Sequence, residues 1–106
     1  MKYIVIKVTD HIAVGPMIQE IPIIFPDLLV HSEVSKAIIR MIRSEVPDGR
    51  RREVETISAG FFSSLDIGKD KVYCHGLSES LGGLKSRPLE DSTLVSTFDY
   101  LHGVKW

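Results

Sequence analysis

The chain sets short runs rich in Ile and Val around one stretch of helical period, and that pattern predicts an α+β domain. Residues 2–8 place Ile4, Ile6 and Val8 on one face and Tyr3 and Val5 on the other, as in a strand covered on both sides. Such a strand belongs at the centre of a sheet. Residues 9–17 carry Asp10, Gly15 and Pro16 and read as a loop. A second strand follows over residues 18–25, and Pro22, which lacks an N–H, places it at an edge or at a bulge.

From Ser32 the period changes. Val34, Ala37, Ile38, Met41, Ile42 and Val46 recur at helical spacing, so residues 32–46 are expected to cover the sheet with one apolar face. Ser32 is the candidate N-cap, Glu33 suits the positive end and Arg40 and Arg43 the negative end. Pro47-Asp48-Gly49 stops this helix.

Residues 53–62 read as a third strand. Val54 and Ile57 fall on opposite faces there, which predicts a bulge or a late start. A turn over residues 63–70, with Asp66 and Gly68, leads to a fourth strand over 71–77 that puts Val72 and Cys74 on one face, and these two strands form a hairpin. Residues 78–87 have neither period and read as a polar loop. After Pro88, Leu94, Val95, Phe98 and Leu101 return to helical spacing, ended by Gly103. The expected order is strand, strand, helix, strand, strand, helix, with a four-stranded antiparallel or mixed sheet and a helix packed on one face.

The 106 residues suffice for a single domain, which at this size buries roughly 65% of its unfolded surface. Thirteen Lys and Arg against fourteen Asp and Glu give a net charge of −1, so no global field steers the chain to nucleic acid or anionic membrane. No apolar run has the length of a signal segment or a membrane span. The single cysteine, Cys74, makes no internal disulfide. A cytoplasmic protein is the expectation.

Several groupings invite chemistry. Gly83-Leu84-Lys85-Ser86 resembles a phosphate-cradling loop, but Leu84 separates glycine from lysine and the preceding chain reads as antiparallel. What survives is a polar site, for a partner or small ligand, lined by Ser78, Ser80, Lys85, Ser86 and Arg87. Cys74 and His75 are neighbours on a strand and point to opposite faces, so they form no dyad, and Cys74 reads as a small core residue. Four scattered histidines and one cysteine match no metal motif, and no cofactor fingerprint is present. His31 and His102 read as capping or surface groups.

Arg50-Arg51-Arg52, with Arg40 and Arg43, is the basic cluster. Glu45, Asp48 and Glu53 lie within it and no aromatic interleaves, so the balance is against nucleic acid. Asp91 and Asp99 would stand about 12 Å apart on a helix, too far to act together on one bond. Asp91 is instead explained as a favourable charge in a first turn. No catalytic residues are assigned. Tyr100 and Trp106 fall off the final helix's apolar face and are candidate anchors for association. A homodimer is compatible with an edge strand and an exposed Trp106.

The blocks Ile24-Phe25-Pro26 with Leu29-Val30-His31-Ser32, then Ser58-Ala59-Gly60-Phe61, then Ser78-Glu79-Ser80-Leu81-Gly82 with Ser86-Arg87-Pro88 and Glu90-Asp91, resemble a group of small bacteriophage and prophage proteins. The Tyr100-Leu101-His102-Gly103 ending is similar as well, while Gly83 and Leu89 stand as insertions. The resemblance implies expression in a bacterial cytoplasm and binding to a host or phage protein. The leading expectation is therefore a non-enzymatic interaction module. The alternatives are a protein acting on a phosphorylated compound through the 78–87 loop, and nucleic-acid binding through Arg50, Arg51 and Arg52.

Overall fold

The computed structural model describes residues 1–46, 51–64 and 72–102, the side chains of 64 and 98–102 aside. Pro47-Asp48-Gly49, Arg50, Asp66, Gly68, Gly103 and Trp106 lie outside the described residues, as do the side chains of Phe98, Tyr100, Leu101 and His102.

The fold is α+β. Strands β1 (Lys2–Ile12) and β2 (Gly15–Phe25) precede helix α1 (His31–Ser44), followed by β3 (Arg51–Ser64) and β4 (Val72–His75). Two short strands, β5 (Leu77–Ser78) and β6 (Leu84–Lys85), lead into helix α2 (Pro88–His102). The four long strands form an antiparallel sheet in the order β2-β1-β3-β4.

β1 is central, as its two apolar faces require. On the front face Ile4, Ile6, Val8, Phe25, Val54 and Ala59 are buried beneath Val34, Ile38, Ile39 and Ile42 of α1. On the back face Tyr3, Val5, Phe62, Val72 and Cys74 are buried with Val95 of α2. Both faces are covered, as the apolar pattern of β1 predicts, but by a helix on each and not by one helix on one face. The expected α1 stripe is also rotated: Ile39 packs on the sheet, while Ala37 and Met41 are exposed.

The first hairpin is longer than predicted. Residues 9–17 are mostly strand, and only Ala13 and Val14 turn between Ile12 and Gly15, whose φ of 122° suits glycine. Arg52 explains why Asp10 sits in a strand. Its guanidinium clamps both carboxylate oxygens of Asp10 at 2.5 and 3.0 Å and also donates to the Ile42 carbonyl near the end of α1. The expected irregularity in β3 is present: Val5 pairs with Ser58 and Ile6 with Thr56, so Ile57 is the extra residue and turns to the back face.

Both sheet edges are guarded. β2 carries Pro16 and Pro22, each lacking a donor for a further strand. On β4 the Val72 and Cys74 amides donate to the hydroxyls of Ser96 and Ser92, one turn apart on α2. Those outward donors are thereby withdrawn from any incoming strand.

Residues 78–87 are not a loop. β5 and β6 pair around a 3-10 turn, Glu79–Leu81, and Leu81 and Leu84 drop into the front core. Gly82 and Gly83, with φ of 69° and 83°, make the reversal, and the Gly83 amide closes on the Ser78 carbonyl at 2.9 Å. The polar sequence hid two leucines that anchor the hairpin.

Gly60 shows how tightly β3 and β4 meet: a Cβ there would lie 2.4 Å from the His75 carbonyl oxygen. Gly60→Ala is expected to cost about 1–3 kcal/mol as an overpacking substitution, read by urea unfolding. Unchanged stability would contradict this packing.

Candidate functional site

Arg87 and Asp91 begin α2, but they face inward. The Asp91 side chain is fully buried and accepts from the Tyr3 hydroxyl at 2.5 Å, the Ser58 hydroxyl at 3.0 Å, and the backbone and guanidinium of Arg87 at 2.8 and 3.0 Å. Arg87 reaches on to Glu20 of β2 at 2.7 Å. Asp91 is therefore more than a charge at a helix end. It joins β1, β3 and the entry to α2, and Glu20 extends the chain of contacts to β2.

The surroundings set the ionisation of two neighbours. Burial, then the hydrogen bond to Asp91 and its charge, hold the Tyr3 phenol far above its ordinary value. Burial pushes the Cys74 thiol up to about 11, in keeping with a core residue and not with a nucleophile. Cys74 and His75 do point to opposite faces: Cys74 packs behind the sheet, and His75 stacks in front between Phe61 and Tyr73.

The other predicted site residues separate. Ser78 is buried, within 3.3 Å of the Ser80 hydroxyl. Ser80 accepts from the Ser32 amide at 3.1 Å. Ser32 is thus not the N-cap of α1. Val30 holds that position without a side-chain bond, and a hydroxyl from the β5–β6 hairpin meets the first turn in its place. Ser86 is half-buried with its amide on the Gly76 carbonyl, and Lys85 is exposed. Arg87 is occupied by two carboxylates. In the basic cluster Arg51 pairs with Glu53 and Arg52 with Asp10.

His31 is neither a cap nor a surface group. It is buried at the first position of α1, its ring edge-on to Phe25 and Phe61, with Nε2 2.8 Å from the Gly60 carbonyl oxygen. Phe25, Lys2, Phe61 and His75 stand in register across all four strands, so His31 enters a cross-sheet row. Beside it opens a cleft of about 440 Å3, lined by Lys2 of β1, Val30 and His31 at the start of α1, Phe61 of β3, and Leu77, Ser78, Glu79 and Ser80 of the hairpin region. Two apolar side chains of its lining stay in water: Val30 and Leu77 are each 40% exposed. Sequence reasoning named Ser78 and Ser80 of this cleft but missed its floor. Phe61, and Tyr73 with His75 two residues apart on one strand, were legible as one face, but nothing local announced that α1 would begin on a buried histidine.

Among the described residues no group of three His, Cys, Asp or Glu side chains converges as a metal site, and no helix is long and apolar enough to cross a membrane. Comparison of the chain with protein-family models, with curated proteins and with solved structures finds no match. The site thus defines a small α+β domain with an aromatic-floored cleft of mixed polar and apolar lining at the start of its first helix.

Cys74 and Tyr3 both have raised values in the fold, so their contribution to stability is complete below the unfolded values, near 9.0 and 10.0, and is lost as pH rises past them. Unfolding free energy is expected to fall between about pH 9 and 11, with a shallower decline in Tyr3→Phe. Urea titrations across that range check it, and a flat profile would contradict the burial of both groups.

Proposed function

We propose that the chain is a non-enzymatic interaction module that binds a protein partner through the cleft between the start of α1 and the β5–β6 hairpin. The observation that carries this reading is the exposure of Val30 and Leu77 around a concave floor of Phe61 and His31. A soluble surface gains nothing from grouping such side chains, whereas an interface core does. The resemblance to phage and prophage proteins adds the setting: a bacterial cytoplasm, with a host or phage protein as the partner.

The reading for phosphorylated compounds has less to draw on. Arg87 is held by Glu20 and Asp91, Ser78 is buried and Ser80 accepts from α1, which leaves Lys85 as the exposed cation of that set. The reading for nucleic acid loses Arg51 and Arg52 to ion pairs in the same way.

Affinity capture from nuclease-treated bacterial lysate, with the native chain and with Val30→Asp combined with Leu77→Asp, tests the proposal. A stoichiometric partner retained by the native chain and lost by the variant is the expected outcome. Equal capture by both would remove the cleft, and a rise in Tm with phosphorylated ligands would favour the small-molecule reading.

A further inference from the structure

The exposed flank of α1 carries Lys36, Arg40 and Arg43 around the half-buried Ile39, and these four side chains line a shallow cleft of about 400 Å3. Among the described residues none of the three cations has an ion pair, in contrast to Arg51, Arg52 and Arg87, which are all paired. The grouping costs the helix stability, because Lys36 and Arg40 are four residues apart and Arg40 and Arg43 three, the spacings at which like charges repel. Arg43 gains from the negative end of α1. Lys36 has Glu33 three residues earlier as its one favourable neighbour at that spacing, and Arg40 has none, in a chain whose net charge is −1.

We propose that this flank docks an acidic, apolar-containing peptide segment of a partner protein, with carboxylates on Lys36, Arg40 and Arg43 and an apolar side chain over Ile39. The dimensions agree. Lys36 and Arg43 are separated by about 10 Å of helical rise, and residues on one side of an extended segment recur about every 6.6 Å. An acidic, an apolar and an acidic residue at three successive same-side positions span about 13 Å, so the long Lys and Arg side chains meet a carboxylate at each end and the apolar residue covers Ile39. Guanidinium groups at Arg40 and Arg43 suit paired contacts to carboxylates. A nucleic-acid strand is the poorer fit, since its backbone offers nothing apolar for Ile39 and no aromatic lines the cleft to stack a base. This surface is separate from the cleft at the start of α1 and stands without it.

Fluorescence anisotropy with labelled peptides that interleave Asp and Glu with Leu and Phe tests the assignment. The probes are the native chain and Lys36→Ala combined with Arg40→Ala, exposed positions whose loss relieves repulsion and does not lower the Tm. The expected result is binding that weakens with added salt and falls about tenfold in the variant. Equal affinity for both chains would overturn the proposal, as would no binding of any peptide. Tighter binding of a labelled oligothymidine, lost in the same variant, would assign the flank to nucleic acid instead.

Discussion

The carboxylate of Asp91 lies out of water and yet accepts four hydrogen bonds, from Tyr3 in β1, Ser58 in β3 and the backbone and side chain of Arg87. A buried charge left without partners costs several kcal/mol, so this arrangement is stable only when β1, β3 and the start of α2 are all in place. The apolar contact of α2 with the sheet rests on few described residues, chiefly Leu94 and Val95. Polar contacts make up the difference. Asp91 fixes the beginning of the helix, and Ser92 and Ser96 fix its face against the edge of β4. The position of α2 in turn sets where β4 and the β5–β6 hairpin can lie, and hence the wall of the cleft.

The same contacts shape what the surface can bind. With prolines on β2 and serine hydroxyls on the β4 amides, neither edge invites an added strand, so the recognition we propose falls to side chains. Two places on the front side supply them. One is the cleft over Phe61 and His31; the other is the cationic flank of α1. Both belong to α1, whose first turn is held by the Ser80 hydroxyl and whose last turn is held by Arg52. A helix tied at both ends presents its side chains in fixed geometry, which limits the conformational cost of binding.

Much of the architecture was legible from local pattern. The double-faced apolar run of β1 identified the central strand, Pro22 identified an edge, and the clash of phase between Val54 and Ile57 marked the bulge. What escaped was set by contacts far apart in sequence. Asp10 looked like a loop residue until Arg52 gave it a partner across the sheet, and the 78–87 segment looked like a loop until Leu81 and Leu84 found the front core. The helical spacing of α2 was legible, but not that Asp91, Ser92 and Ser96 face the sheet as polar anchors. The candidate site was less legible than the fold. Of the residues singled out beforehand, Arg87 is held by carboxylates and Ser78 and Ser80 line the cleft, but its floor is Phe61 and His31, whose meeting depends on the register of strands and the entry angle of α1.

The dependence of α2 on the buried carboxylate is tested most directly by a double-mutant cycle of Arg87→Ala and Asp91→Ala in urea unfolding. If the two groups act as one unit, the single variants should each lose most of what the pair loses, with a coupling energy of about 2 kcal/mol or more. Losses that simply add, within about 0.5 kcal/mol, would mean that the two groups do not act as one unit, and a loss below about 0.5 kcal/mol for Asp91→Ala would mean that apolar packing alone holds α2.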